Sequence, residues 1–221
     1  MPTISVENYL KAIYHLESHG EVPVKTKSLA ERLGISAPSV TSMLKSLARD
    51  GLVDYLPYKG ASLSREGTRA ALKVIRKHRL VEVFLVQTLG LSWDEVHEEA
   101  ELLEHAVSET LVARIDDFLG HPRFDPHGDP IPTDDGQIHR LETIRLDEAE
   151  VNESYRLERV LDQGSAVLKY LDKIGLTINR SFTVVEILSF DGQLFLDIHD
   201  SDPLRAAISH SLAARLLVTK L

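Results

Sequence analysis

The sequence predicts a mainly α protein in three parts. These are a winged helix-turn-helix over residues 1–73, a helical region over 74–140 that carries the candidate metal ligands, and a small, mostly β barrel over 141–221. Three observations carry this reading. A pattern of helix, tight turn, helix and hairpin fills the first third. Two stretches with wide apolar stripes follow, and they carry His and Glu at helical spacing. Beyond a Pro/Gly-rich connection, short alternating or apolar runs of strand type take over.

Charge divides the chain in the same way. Residues 1–80 carry 13 Lys+Arg against 7 Asp+Glu, and residues 81–221 carry 12 against 27, within a net charge of −9. A basic head on an acidic body points to a polyanion as the partner of the head, double-stranded DNA being the natural one. There is no cysteine, so thiolate metal sites and disulfides are excluded. No apolar run has membrane-spanning length. The N-terminus lacks a basic segment followed by an apolar one. A cytoplasmic protein without a membrane partner is expected.

In order, Val6, Leu10, Ile13 and Tyr14 space a first helix over 4–18, ended by Gly20 and Pro23, with Asn8 near its exposed start. Thr26 is expected to cap a short helix to Leu33, and Ser36 a second from Ala37 to about Asp50, where Pro38 is tolerated in the first turn. Strands at Leu52–Tyr55 and Ala61–Leu63 flank Pro57-Tyr-Lys-Gly60 as the wing. The exposed face of the second helix presents Ser36, Pro38, Ser39, Thr41, Ser42 and Lys45. Small hydroxyls permit close approach to base edges, and Pro38 and Thr41 suit thymine methyls. No Arg or Gln there offers a bidentate base contact, so much of the specificity is expected from DNA shape. Lys25, Lys27, Lys45, Arg49 and Lys59 are candidate phosphate contacts.

Ser64 is expected to cap a long helix to Leu89, carrying His78 and Glu82 as an i, i+4 pair. Ser92-Trp-Asp-Glu95 reads as a capping box for one further helix running to about Leu119. On such a helix His97, Glu101, Glu104 and His105 fall within an arc roughly 100° wide. Taken singly, each is an ordinary surface residue. Two helices bearing His-x3-Glu and His-x3-Glu-x2-Glu-His together point to a metal cluster. The apolar surface of these helices suits a two-fold dimer interface or a monomeric core. The connection over 120–136 contributes Asp125 and His127. Strands follow at Tyr155–Leu161, Ser181–Leu188, Gln193–Ile198 and Leu216–Thr219, with helices over Ser165–Ile174 and Pro203–Ala214.

Over nearly its whole length the sequence resembles the diphtheria-toxin-repressor family of metal-dependent transcriptional repressors. The resemblance rests on Val6-Glu-Asn-Tyr-Leu-Lys-Ala-Ile-Tyr14, the winged unit, Arg76-Lys-His-Arg-Leu-Val-Glu82, Val96–His105 and Pro126-His-Gly-Asp-Pro-Ile-Pro132. It implies homodimers on palindromic operators, two neighbouring metal sites per subunit, and a final SH3-like (FeoA-like) domain. By resemblance His78, Glu82 and His97 hold one metal, and Glu101, Glu104, His105 and Asn8 the other. The family's DNA-contacting positions fall on Ser36, Pro38, Ser39 and Ser42.

Iron-responsive members carry Cys where this chain has Glu101 and Met where it has Asn8. Glu101 matches the manganese-responsive branch, which usually has Asp at position 8; neutral Asn8 leaves the site one negative charge short. Asp125-Pro-His127 resembles a Cys-Pro-His segment that extends the first site in some relatives, with a carboxylate for the thiol, and Asp162 aligns loosely as a further ligand. Oxygen-rich sites with some nitrogen suit Mn(II), with Fe(II) second. The expectation is a metal-activated repressor of metal-uptake genes, holding two or more ions per subunit. Competing readings are a two-metal hydrolase or oxidase on a helical bundle and a metal-independent winged-helix protein. The enzyme reading leaves the basic winged unit unexplained, and no nucleophile triad, phosphate loop or dinucleotide fingerprint is evident.

Overall fold

The computed structural model describes residues 3–139, 141–199 and 204–221. It divides into two compact units: Met1–His78 with Glu104–Val107 and Pro132–Gln137, and Arg79–Leu103 with Ser108–Ile131 and Ile138–Leu221.

The first unit contains α1 (Ile4–Ser18), α2 (Thr26–Leu33), α3 (Ala37–Arg49), β1 (Val53–Leu56), β2 (Gly60–Leu63) and the start of α4 (Arg65–Leu89). Leu10 and Ile13 of α1, Leu29 of α2 and Val40, Leu44 and Leu47 of α3 are fully buried in one core. Each such side chain contributes about 1.5–3 kcal/mol by leaving water. Ser36 caps α3, its Oγ accepting from the Ser39 amide at 3.3 Å. Gly34 closes α2 in the left-handed region at φ 66°. β1 and β2 pair antiparallel from Val53↔Leu63 to Leu56↔Gly60. Gly60 has φ +124° and leaves only 2.5 Å between an added Cβ and Val24 O, so a side chain is barred there. Ser64 caps α4 by accepting from the Gly67 amide at 3.0 Å. Thr26 does not cap α2: Lys25 holds that position without a side-chain bond. Glu21 Oε1 does the work instead, accepting from Lys25 N at 2.8 Å and Ser28 Oγ at 2.7 Å.

In the second unit the single helix expected from Ser92 to Leu119 is two helices, α5 (Val96–Leu103) and α6 (Glu109–Phe118). The Ser92 hydroxyl donates to the Glu95 carboxylate at 2.7 Å, but the helix begins only at Val96. Ser108 starts α6 afresh, its Oγ accepting from the Leu111 amide at 3.2 Å. A strong N-cap in mid-pattern outcompetes helix continuation. Apolar spacing carries on across the break, so periodicity alone conceals it.

The C-terminal part is an antiparallel sheet of six strands: β3 (Ile144–Arg145), β4 (Ser154–Val160), β5 (Ser181–Ile187), β6 (Leu194–Ile198), β7 (Leu204–Ile208) and β8 (Leu216–Lys220), in the order β3-β8-β4-β5-β6-β7. Two short helices, α7 (Ser165–Lys173) and α8 (His210–Ala213), accompany it. Tyr155, Leu157, Phe182, Leu196 and Val218 fill its core, with Trp93 packed against it. The expected barrel is an open sheet: among the described residues β3 and β7 are edges and do not pair with each other. The expected helix over Pro203–Ala214 is also different. Pro203 lies outside the described residues; Leu204–Ile208 is a strand in register with β6 from Leu194↔Ile208 to Ile198↔Leu204, and only His210–Ala213 is helical. Pairing along a whole strand overrides the helix propensity of Arg205-Ala-Ala.

Candidate metal centre

In the first unit, a cluster forms where α1 meets His78 on α4 and the turn Glu104–Val107. Glu104 is fully buried. Its Oε2 lies 2.7 Å from His78 Nδ1, and its Oε1 lies 2.6 Å from Lys11 Nζ and 3.2 Å from His105 Nε2. Burial alone would raise its pKa, but the His78 hydrogen bond and the Lys11 charge outweigh it and hold the carboxyl below its ordinary value. His105 Nδ1 donates to Glu7 Oε2 at 2.7 Å. A carboxylate can only accept, so in this bond Nδ1 carries the proton, while Nε2 lies against the second carboxylate, Glu104. Asn8 Oδ1 is buried with no hydrogen-bond partner. Such an atom costs about 1–3 kcal/mol unless something completes it.

The second unit holds another cluster. Glu82 of α4 and Asp125 and His127 of the connection are all buried, and each offers a ligand atom within 4.8 Å of the others. Asp125 Oδ1 accepts the amides of His127 at 2.8 Å and Asp129 at 2.9 Å, an Asx turn that fixes the loop. Gly128 belongs to that turn at φ +85°; an added Cβ would stand 1.9 Å from Glu158 O. His127 Nε2 lies 2.6 Å from the Trp93 carbonyl oxygen. That oxygen can only accept, so Nε2 carries the proton and Nδ1 the lone pair. Nδ1 is buried and has no partner. A metal-binding imidazole is usually oriented in this way, with its other N–H on a carbonyl. Burial, then Asp129, then Glu82 push the Asp125 carboxyl well above its ordinary pKa, against the pull of Arg79. Arg79 lies 3.5 Å from Asp125 and 3.6 Å from Asp129, and Arg159 and Gln163 also hold Asp129.

His97 Nδ1 is 3.2 Å from Glu82 Oε1, and its Nε2 is 3.6 Å from Glu101. Within the first unit His78 and His105 lie against Glu104, with Asn8 on the same stretch of α1 as Glu7 and Lys11. Within the second, Glu82 lies with Asp125, His127 and His97, and Glu101 lies beside His97. Asp162 is not in either group: its carboxylate pairs with Arg215 and accepts from Gly164 N at 3.2 Å. Glu7, Lys11, Arg79 and Asp129 escaped the sequence reading. Lys11 was findable, being three residues from Asn8 on the same helical face.

Both clusters suit a divalent first-row cation. Each combines carboxylate oxygens with imidazole nitrogens, and beside them Asn8 Oδ1 in the first unit and His127 Nδ1 in the second are buried without a hydrogen-bond partner.

On the winged unit, Ser36, Pro38, Ser39, Ser42, Lys45, Lys25, Lys27 and Lys59 are exposed. Ser36 and Ser39 share a hydroxyl bond of 2.8 Å, and Thr41, half-buried, donates to Ala37 O at 3.0 Å. Lys25 Nζ donates to Lys59 O at 2.7 Å, tying the wing to the start of α2.

Residues 1–61 match the iron-dependent repressor N-terminal DNA-binding domain. Residues 64–133 match the iron-dependent repressor metal-binding and dimerisation domain, and residues 144–220 the FeoA domain. The chain is 41% identical over 128 residues to the iron-dependent repressor IdeR of Mycobacterium tuberculosis, covering 58% of this chain and 55% of that protein. It is 37% identical over 150 residues to the diphtheria toxin repressor of Corynebacterium glutamicum, covering 68% and 62%. The chain thus spans about half the length of the curated relatives it matches. Among solved structures, a manganese-dependent transcriptional repressor in complex with manganese is similar at a TM-score of 0.88 and 39% identity, over 98% of this chain and 100% of that one. ScaR with bound Cd2+ is similar at 0.80 and 33% identity, over 100% of both.

Proposed function

The chain belongs to the iron-dependent repressor family, and from that premise we propose that it is a metal-activated transcriptional regulator that binds operator DNA as a homodimer. The observation that carries this reading is the buried trio Glu82, Asp125 and His127, with an imidazole nitrogen that has no protein partner, in a chain that also has a winged helix-turn-helix.

The sites we assign are His78, Glu104, His105 and Asn8 for one ion and Glu82, Asp125, His127 and His97 for another, with Glu101 beside them. All donors are oxygen or nitrogen, which favours Mn(II), with Fe(II) the alternative; Zn(II) binds tightly wherever it is available. A bound ion supplies positive charge that removes repulsion among buried carboxylates. Asn8 then ties α1 of the DNA-binding unit to the turn carrying Glu104 and His105. Asp125 and His127 tie the connection to α4. These ties raise the population of the conformer that fits DNA, and by linkage DNA tightens the ion. Ser36, Pro38, Ser39, Thr41 and Ser42 meet base edges. Lys25, Lys27, Lys45 and Lys59 meet phosphates. Two copies of α3 in a dimer read half-sites about one helical turn, or a multiple, apart. Similarity to manganese- and iron-dependent repressors supports repression of metal-uptake genes as the output.

The test is operator binding by fluorescence anisotropy with micromolar Mn(II) against a chelated control, for the wild type and for Glu82→Gln/Glu104→Gln. Binding strengthened by Mn(II) in the wild type alone supports the reading. Equal binding in all four conditions would leave a metal-independent winged-helix protein.

A further inference from the structure

Lys11 has no place in the ligand sets above, yet it makes the shortest contact to the most buried of their carboxylates. Its ammonium is 2.6 Å from Glu104 Oε1; the Lys11 side chain is 21% exposed and that of Glu104 is 0%. The other oxygen of Glu104 is engaged by His78 at 2.7 Å. A cation that coordinates Glu104 therefore meets a fixed positive charge on one oxygen and a hydrogen-bonded imidazole on the other. Asn8, whose Oδ1 is buried without a partner, is one helical turn before Lys11 on α1. Positions i and i+3 share a helix face, so α1 presents two alternative links to Glu104: the Lys11 ammonium directly, or the Asn8 amide through an ion.

We propose that Lys11 is a built-in competitor for the divalent cation at Glu104: it sets the ion concentration at which α1 exchanges its Lys11 link for its Asn8 link. This rests on the assignment of Glu104 as a ligand. The ammonium repels every divalent ion alike, so it raises the threshold without reordering Mn(II), Fe(II) and Zn(II). It also keeps a sealed carboxylate compensated, which the fold needs when no ion is present. The two roles pull in opposite directions when the charge is removed. Protein without ion loses stability; protein with ion gains affinity. A lysine that served only as a structural partner would give the loss without the gain.

The experiment is Mn(II) titration of the full chain by calorimetry in chelator-treated buffer. An Asp125→Asn background confines the signal to the Glu104 site. The variants are Lys11→Met, Lys11→Arg and Glu104→Gln, with thermal melts of each in chelator. Lys11→Met is expected to tighten Mn(II) by about 10–100-fold, the scale set by changes to groups around a metal's ligands, and to melt lower in chelator. Lys11→Arg, which keeps the charge, stays within about threefold of its parent. Mn(II) binding in Lys11→Met that equals or falls below the parent's overturns the proposal while leaving Glu104 a ligand. If the parent binds no ion and Glu104→Gln changes nothing, the ligand assignment fails and takes the proposal with it. Should Lys11→Met not fold, Lys11→Gln, whose amide still donates to Glu104, is held to the same expectation.

Discussion

Asp125→Asn removes one ionisable group and little else. The amide oxygen of asparagine accepts the same two backbone N–H groups that Asp125 Oδ1 holds at 2.8 and 2.9 Å, so the Asx turn survives. What disappears is a carboxyl within 4.8 Å of the Glu82 ligand atom, one that the fold holds either ionised against that repulsion or protonated above its ordinary pKa. At an effective dielectric constant near 20, unit charges at that separation repel by about 3–4 kcal/mol. Asp129 adds a second repulsion, and Arg79, 3.5 Å away, offsets about one of the two. In chelator the variant is therefore expected to be more stable, by about 0.5–2 kcal/mol, the usual gain when a strained functional group is neutralised.

The gain depends on pH. Asp125 has a folded-state pKa above its ordinary value, so the folded wild type keeps a proton that the unfolded chain has released. Wild-type stability falls as pH rises through that window; in the variant this component is absent. With Mn(II) the order reverses. The variant lacks a ligand and is expected to bind this ion at least about a hundredfold more weakly, since loss of an outer partner alone costs about 10–100-fold. Thermal melts in chelator and in Mn(II), from about pH 5 to 8 where single-group linkage is resolved, read the stability. The chain's one tryptophan, Trp93, stacks on the His127 ring at a centroid distance of 6.3 Å, so its fluorescence reports ion arrival. A variant that is less stable in chelator and binds as many ions as the wild type refutes the reasoning.

Lys45→Ala is expected to weaken DNA binding about equally on all sequences and to lower the salt slope by about one ion, read from anisotropy at several salt concentrations. Gly128→Ala places a Cβ 1.9 Å from Glu158 O at φ +85° and is expected to cost about 3 kcal/mol or more, seen as a lower denaturant midpoint. Glu17, which accepts from the Leu63 amide at 2.8 Å, has its pKa raised by burial, with that bond pulling it down. Its contribution to wild-type stability is present below the unfolded carboxylate pKa and is lost as pH rises through the folded one. Glu17→Gln keeps the bond and should flatten that part of the stability profile.

The winged unit was legible because its signals are local. Ser36 and Ser64 as caps and the tight turns at Gly34 and Gly60 each follow from residue type alone. The C-terminal sheet was legible strand by strand, except at Ile144–Arg145 and Leu204–Ile208. At Leu204–Ile208 the decisive interaction is pairing with Leu194–Ile198, and no local pattern records it. Closure into a barrel likewise depends on how edge strands meet, which alternation does not encode.

The candidate ligand clusters show a subtler limit. Helical spacing correctly placed His97 and Glu101 four residues apart on α5, but Glu104 and His105 reach their neighbours through a turn created by the Ser108 cap. The assumed continuous helix would have put all four donors in one stripe. The break instead gives Glu104 and His105 to the first unit, where Glu7 and Lys11 of α1 engage them. Donor identity can be read from composition, because Asp, Glu and His are recognisable anywhere. Donor grouping cannot, because it is decided by where the backbone turns and by which buried charges must be compensated. A fully buried Glu104 requires cations, and the structure supplies Lys11 and His78 from residues 93 and 26 positions away in the chain. That requirement sets the partners of Glu104, whereas helical periodicity sets only His97 beside Glu101.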